Sequence, residues 1–134
     1  MEQEINKSTV LIEDWEMQCC GEPFKVGDTV EWTVSKCEDE NENFLAEAGN
    51  IDFNYDNHFY SSEKILKIKG NVTNIRAIHY SYKPESENSK VYIPVTGISV
   101  EVESADGWDE DVDGKRLSYY YVCLENVKIK KYEP

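Results

Sequence analysis

From Thr29 to Ser35 apolar and polar side chains alternate without a break: Val30, Trp32 and Val34 on one side, Thr29, Glu31, Thr33 and Ser35 on the other. A period of two is the signature of an extended strand with one face on a core and the other in water. The expectation is that Val30 and Trp32 are buried while Glu31 and Thr33 are exposed. Lys25-Val26-Gly27-Asp28 just before it is a turn that launches the strand. The same rhythm returns at Val91, Ile93 and Val95, stops at Gly97, and resumes at Ile98, Val100 and Val102. Pro94 and Gly97 inside that run fit a bulge or a barrel corner better than a straight central strand.

Other segments add strands to this one. Ser8–Met17 reads as a first strand centred on Val10, Leu11 and Ile12. Residues 64–82 are rich in Ile, Val, Thr and Tyr, and read as a short strand, a break at Gly70-Asn71 and a long strand from Val72 to Tyr82. Leu117 to about Ile129 is the last strand, entered through an acidic turn. Between Glu38 and Ala48, acids precede Phe44-Leu45-Ala46 and Gly49 follows, which are start and stop signals for a short helix. Asn50–Ser62 is an aromatic, Asn- and Asp-rich connection of the kind that often carries function. The chain therefore reads as all-β with one short helix inserted: a small antiparallel β-barrel or sandwich, SH3-like or OB-like in size, with residues 1–134 as a single domain.

Composition narrows the function classes. The chain has 134 residues, 40% of them hydrophobic and 12% aromatic, which is enough for a real core and argues against intrinsic disorder. Its net charge of −13 argues against a nucleic-acid partner, since affinity for phosphate backbones comes from Lys and Arg. An anionic membrane surface is disfavoured for the same reason. Apolar runs are too short to cross a bilayer, and the N-terminus lacks a secretory pattern, so a cytoplasmic protein with reduced cysteines is expected. No Lys or Arg occurs from Cys37 to Glu63 or from Glu101 to Asp113. These stretches are either ordinary soluble surface or an acidic face that steers a basic protein partner. Oligomeric state is not legible.

Several residues carry chemistry worth weighing. Cys19, Cys20, Cys37, Cys123, His58 and His79 have the donor atoms for zinc, but adjacent Cys19-Cys20 point apart in an extended chain and the other two cysteines are isolated. Buried thiols acting as small apolar groups are the alternative. Asp109, Asp111 and Asp113, followed by Gly114, match the first half of a calcium loop, yet the twelfth position is Tyr120 rather than Glu. An Asp-Gly hairpin turn explains the same residues. The expectation is no resident cofactor, with zinc and calcium as the metals to test, and no catalytic residue is assigned. A thiol–imidazole pair between Cys19 or Cys20 and His58 or His79 has no support in spacing.

The run Trp15-x-x-Gln18-Cys19-Cys20-Gly21-x-Pro23-Phe24-x-Val26-Gly27-Asp28, then Ile51-Asp52-Phe53 and His58, Ile75-Arg76-Ala77-Ile78-His79, and Trp108, resembles a small bacterial family catalogued as a domain of unknown function. The resemblance covers most of the chain and places Gln18, Cys19, Cys20, Gly21, Phe24 and His58 at motif positions, without bringing an activity. The candidate ligand-binding set is accordingly Trp15, Gln18, Cys19, Cys20, Gly21, Asp56, His58 and Trp108. The expected function is a non-enzymatic, acidic binding module for a protein partner, in one version an immunity or antitoxin-like protein. The alternative is a ligand- or metal-binding protein, or an enzyme, built on a Cys-Cys/His pocket. In that second case His58 lies on the same side of the barrel as Cys19 and Cys20; otherwise it is a surface loop residue.

Overall fold

The computed structural model describes residues 2–37, 44–56 and 65–132. In chain order the elements are β1 (Glu2–Glu13), α1 (Asp14–Cys19), β2 (Phe24–Lys25), β3 (Thr29–Lys36), β4 (Phe44–Leu45), β5 (Gly49–Asn50), β6 (Phe53–Tyr55), β7 (Ile65–Pro84), β8 (Tyr92–Val102), β9 (Ser104–Ala105) and β10 (Arg116–Lys131). Five of them close a barrel with neighbours in the cyclic order β1, β6, β3, β7, β10. The pair β1–β6 is parallel, through Val10↔Phe53 and Leu11↔Asn54; the other four contacts are antiparallel. The result is a closed five-stranded barrel with one short helix, a small all-β barrel as the sequence suggests.

The barrel is built on β7. One edge of this 20-residue strand carries β10 along most of its length. Its other edge carries β3 at residues 65–71 and then β8 at residues 75–84. Gly70 does not break it. A Cβ there would lie 3.2 Å from Leu124 Cβ and 3.3 Å from the Glu125 carbonyl, so the glycine is where β10 passes closest. Three register shifts against β10 follow, and a fourth against β8. They matter because each extra residue reverses which side chains face in. On β10, Tyr120, Val122 and Leu124 are buried in the core, and after the shift at Asn126 (φ 53°) the buried set becomes Val127 and Ile129. The shift on β8, between Ser81 and Tyr82 of its partner, falls beside Pro94 as the sequence suggests.

Two apolar clusters result. The interior joins Val10 and Ile12, Val30 and Val34, Phe53, Ile68, Val72, Ile75 and Ala77, and the inward residues of β10. A second cluster lies outside the barrel wall, where Ile78, Tyr80 and Tyr121 are covered by Ile51, with Leu45 and Ala48 alongside. This cover explains where the expected helix fails. Phe44–Ala48 is not helical: Phe44 pairs with Asn50 and Leu45 with Gly49 in a tight hairpin, and residues 38–43 of the expected helix lie outside the described residues. The hairpin is held by Tyr80 Oη donating to Glu47 Oε2 at 2.7 Å, and by Tyr121 Oη and Thr9 Oγ1 donating to the Asn50 carbonyl at 2.8 and 2.9 Å. The short helix is instead α1, in the stretch read as the end of the first strand. Replacing Tyr121 by Phe should cost about 1 kcal/mol in denaturant unfolding, because one hydrogen bond goes while the ring stays. Amide exchange should quicken at Ala48, whose N–H is bonded within the hairpin, and not at Ile68 in the barrel.

Candidate functional site

α1 closes one end of the barrel. The chain turns at Glu13, which is extended (φ −72°, ψ 143°), and the acids Asp14 and Glu16 sit in the first helical turn where the helix dipole favours them. The helix has six residues and buries Glu16 and Met17. Trp15, Gln18, Cys19 and Cys20 stay exposed. The amides of Cys20 and Gly21 both donate to the Glu16 carbonyl, at 3.0 and 2.8 Å, which ends the helix and sends the chain toward β2.

At this end the two adjacent cysteines are joined as a disulfide, Cys19–Cys20. The expectation of reduced, diverging thiols is therefore corrected for this pair: the helix end is not extended chain, and its last turn brings the two sulfurs together. Bonded to each other, they present no thiolate to zinc. Cys37 and Cys123 are thiols, and burial pushes the Cys123 thiol up from its ordinary value. His79 is buried in the barrel wall, with Nδ1 3.3 Å from the Lys115 carbonyl.

The loop after β9 docks on α1. Gln18 Nε2 donates to the Gly107 carbonyl at 2.8 Å, and the Gly107 amide donates to Tyr120 Oη at 3.0 Å. Tyr120 Oη in turn donates to Asp109 Oδ1 at 2.7 Å. Gly107 has φ 91°, and a Cβ on it would come 2.9 Å from Met17 Cβ. Trp108 thus stands at the same end as Trp15, Gln18, Cys19, Cys20 and Gly21, with its side chain 68% exposed. Of the three acids considered for calcium, Asp109 is engaged by Tyr120, and Asp113-Gly114 form a two-residue turn with both φ positive between Val112 and Lys115. Among the described residues no group of three or more His, Cys, Asp or Glu side chains is placed to hold a metal ion.

Beside the disulfide runs a groove of about 480 Å³. It is lined by Cys20, Glu22 and Pro23 together with Asp28, Glu31, Trp32 and Tyr55. Three rings stand in file along it, edge to face: Phe24 and Trp32 at 5.0 Å, Trp32 and Tyr55 at 5.7 Å between centroids. Trp32 is only half-buried, and Thr33 only half-exposed. The indole leans between its two aromatic neighbours, while Thr33 Oγ1 donates to the Asp56 carbonyl. Val30 and Glu31 are buried and exposed as the alternation requires. Burial, and then the carboxylates of Glu16 and Glu22, push the Tyr55 hydroxyl above its ordinary value. Asp56 follows Tyr55 and pairs with Thr33 through its backbone. His58 lies outside the described residues.

A family model for a family of unknown function, DUF6578, matches residues 6–126. The chain belongs to that family. No curated protein and no solved structure matches it. In this DUF6578 chain Trp15, Gln18, Cys19, Cys20 and Gly21 share one end of the barrel with Trp108. Phe24, Tyr55, Glu22 and Glu31 complete the groove and were not in the candidate set, although Phe24 sits in the motif and Tyr55 in the aromatic connection. Gly107→Ala should destabilise the protein by about 1–3 kcal/mol, since it combines a positive φ with a short contact to Met17. Chemical denaturation measures this, and the Gln18 side-chain amide signals should move with it.

Proposed function

We propose that this DUF6578 protein is a non-enzymatic binding module whose helix-end groove receives a cationic side chain from a basic protein partner. One observation carries the reading: the aromatic file Phe24–Trp32–Tyr55 is edged by the carboxylates of Glu22 and Asp28 in one groove. A ring face in a groove of negative potential suits a Lys or Arg side chain, whose charge is attracted by both. The acidic stretch Glu101–Asp113 reinforces this, because β9 pairs with β2 beside the groove. In an immunity-like version of the reading, these carboxylates occupy the basic substrate channel of a nuclease toxin. A bacterial, cytoplasmic setting belongs to the same proposal, in which the exposed Cys19–Cys20 bridge is open to reduction.

The second reading, a ligand or metal pocket on the Cys-Cys segment, is favoured by Cys20 lining the groove wall. It requires the disulfide to open and His58 to take part. Stoichiometric zinc in the reduced protein, with loss on Cys20→Ser, would support it.

The partner reading is tested by titrating the protein with a short Arg- and Lys-rich peptide while following side-chain NMR signals. Saturable shifts at the Trp32 indole and Tyr55 ring are expected, weakened roughly 3- to 30-fold by Trp32→Leu, the range that a cation–π contact supplies. Added salt should weaken binding further. Saturable shifts that bypass Trp32 and Tyr55, or none at all, rule out this groove as the docking point.

A further inference from the structure

The outer face of the barrel carries a feature at odds with a chain of net charge −13. On β7, Lys67 and Lys69 point outward; on β10, Lys128 and Lys130 do the same. Register sets them directly opposite one another, Lys67 against Lys130 and Lys69 against Lys128. Directly opposed residues on neighbouring strands lie about 5 Å apart at Cβ, and residues two apart on one strand about 7 Å apart. The four ammonium groups therefore rise from the corners of a small square. They surround a depression of about 200 Å³, whose only other lining residues are Glu31 at one margin and Glu2 at the other.

Like charges facing each other across strands destabilise a sheet. A surface evolved for solubility alone would alternate signs across the strands, as the Lys67–Glu31 ion pair at 2.9 Å does at the margin. Among the described residues Lys69, Lys128 and Lys130 have no ion pair within 4 Å, although the register sets Glu31 across from Lys69, Glu4 across from Lys128 and Glu2 across from Lys130. Nor is the square a by-product of a regular strand. Lys128 and Lys130 are brought outward by the register shift between Glu125 and Lys128, where Asn126 takes a left-handed φ of 53°. Ahead of that shift Tyr120, Val122 and Leu124 point into the barrel; were it absent, Lys128 and Lys130 would follow them inward. The same irregularity that keeps Val127 and Ile129 in the core thus completes the square.

We infer that this lysine square is a binding site for a compact, multiply charged oxyanion of the phosphate class, adjoining the acidic groove through Glu31. Lys is suited to such a ligand as a flexible point charge with three donors. A phosphate group over the centre offers acceptors to all four ammonium groups and replaces their mutual repulsion by attraction. The size of the depression restricts the ligand to phosphate, pyrophosphate or a small molecule's phosphate end, and the flanking Glu2 and Glu31 keep an extended polyanion off the neighbouring strands.

The test titrates the intact protein with inorganic phosphate, and separately with pyrophosphate, at constant ionic strength. Lysine side-chain NMR signals and the melting temperature are followed together. Saturable shifts confined to Lys67, Lys69, Lys128 and Lys130 are expected, with a melting temperature that rises with ligand concentration. Lys69→Gln/Lys128→Gln should weaken the binding at least tenfold. That double variant, relieved of repulsion, should itself melt no lower than the parent. Lys83→Gln/Lys90→Gln, which removes the same charge from the β7–β8 arm, should bind as the parent does. Linear shifts spread over all lysines, or affinity unchanged in Lys69→Gln/Lys128→Gln, would overturn the site.

Discussion

The sharing of β7 is the constraint on which everything else in this molecule depends. A strand that serves β10 on one edge, and both β3 and β8 on the other, has to be long, and a long strand in a small barrel has to bend. The bend is taken up in shifts of register. Val72 is buried in the interior, and beyond the shift opposite Cys123 and Leu124 the interior residues become Ile75 and Ala77. Ile78 and Tyr80 are thereby turned onto the outer wall, where they need a cover of their own. The hairpin Phe44–Asn50 supplies it. Barrel closure and the hairpin cover are thus consequences of one strand.

The strands that were legible in the sequence are those whose alternation is read over five or more residues: Thr29–Lys36, the run through Val102, and the last strand. Each is half-buried, so the period of two appears directly. Elements decided by tertiary contacts were not legible. Nothing local separates Asp14–Cys19 from the strand before it; the helix forms because Met17 and Glu16 are buried at the barrel end. Conversely, acids, Phe44-Leu45-Ala46 and Gly49 carry helix signals, but Leu45 and Ala48 go to the outer cluster, which a hairpin serves and a helix would not. The apolar pattern starts the first strand at Ser8, yet residues 2–7 also pair with β10, through Lys130 to Glu125. Their hydrogen bonds are made by the backbone, which a hydropathy pattern does not record.

The candidate site shows the same division. Trp15, Gln18, Cys19, Cys20 and Gly21 gather at one end of the barrel, because Gly21 and Gln18 are fixed by the helix end and by the docked loop. What the sequence does not reveal is the companionship of those residues with Tyr55, which arrives from a strand 35 residues downstream of Cys20 and owes its place to the β3–β6 pairing. The Cys19–Cys20 bond was equally hidden, since a reading of extended chain sets neighbouring side chains on opposite faces. Trp32 belongs to both categories: its face follows from alternation, while its partial exposure goes with the groove it lines.

The irregularity at Asn126 has a consequence for how this sequence can change over time. Substitutions at Lys128 or Lys130 touch only the surface and leave the fold intact, whatever they cost in anion binding. Loss of a single residue near Asn126 is different in kind, because it would exchange the two faces of the strand's end, driving ammonium groups inward and Val127 and Ile129 into water. The last turn of the barrel is therefore free to vary in residue type but rigid in length. Charge on that outer wall is tied, residue for residue, to the integrity of the core beneath it.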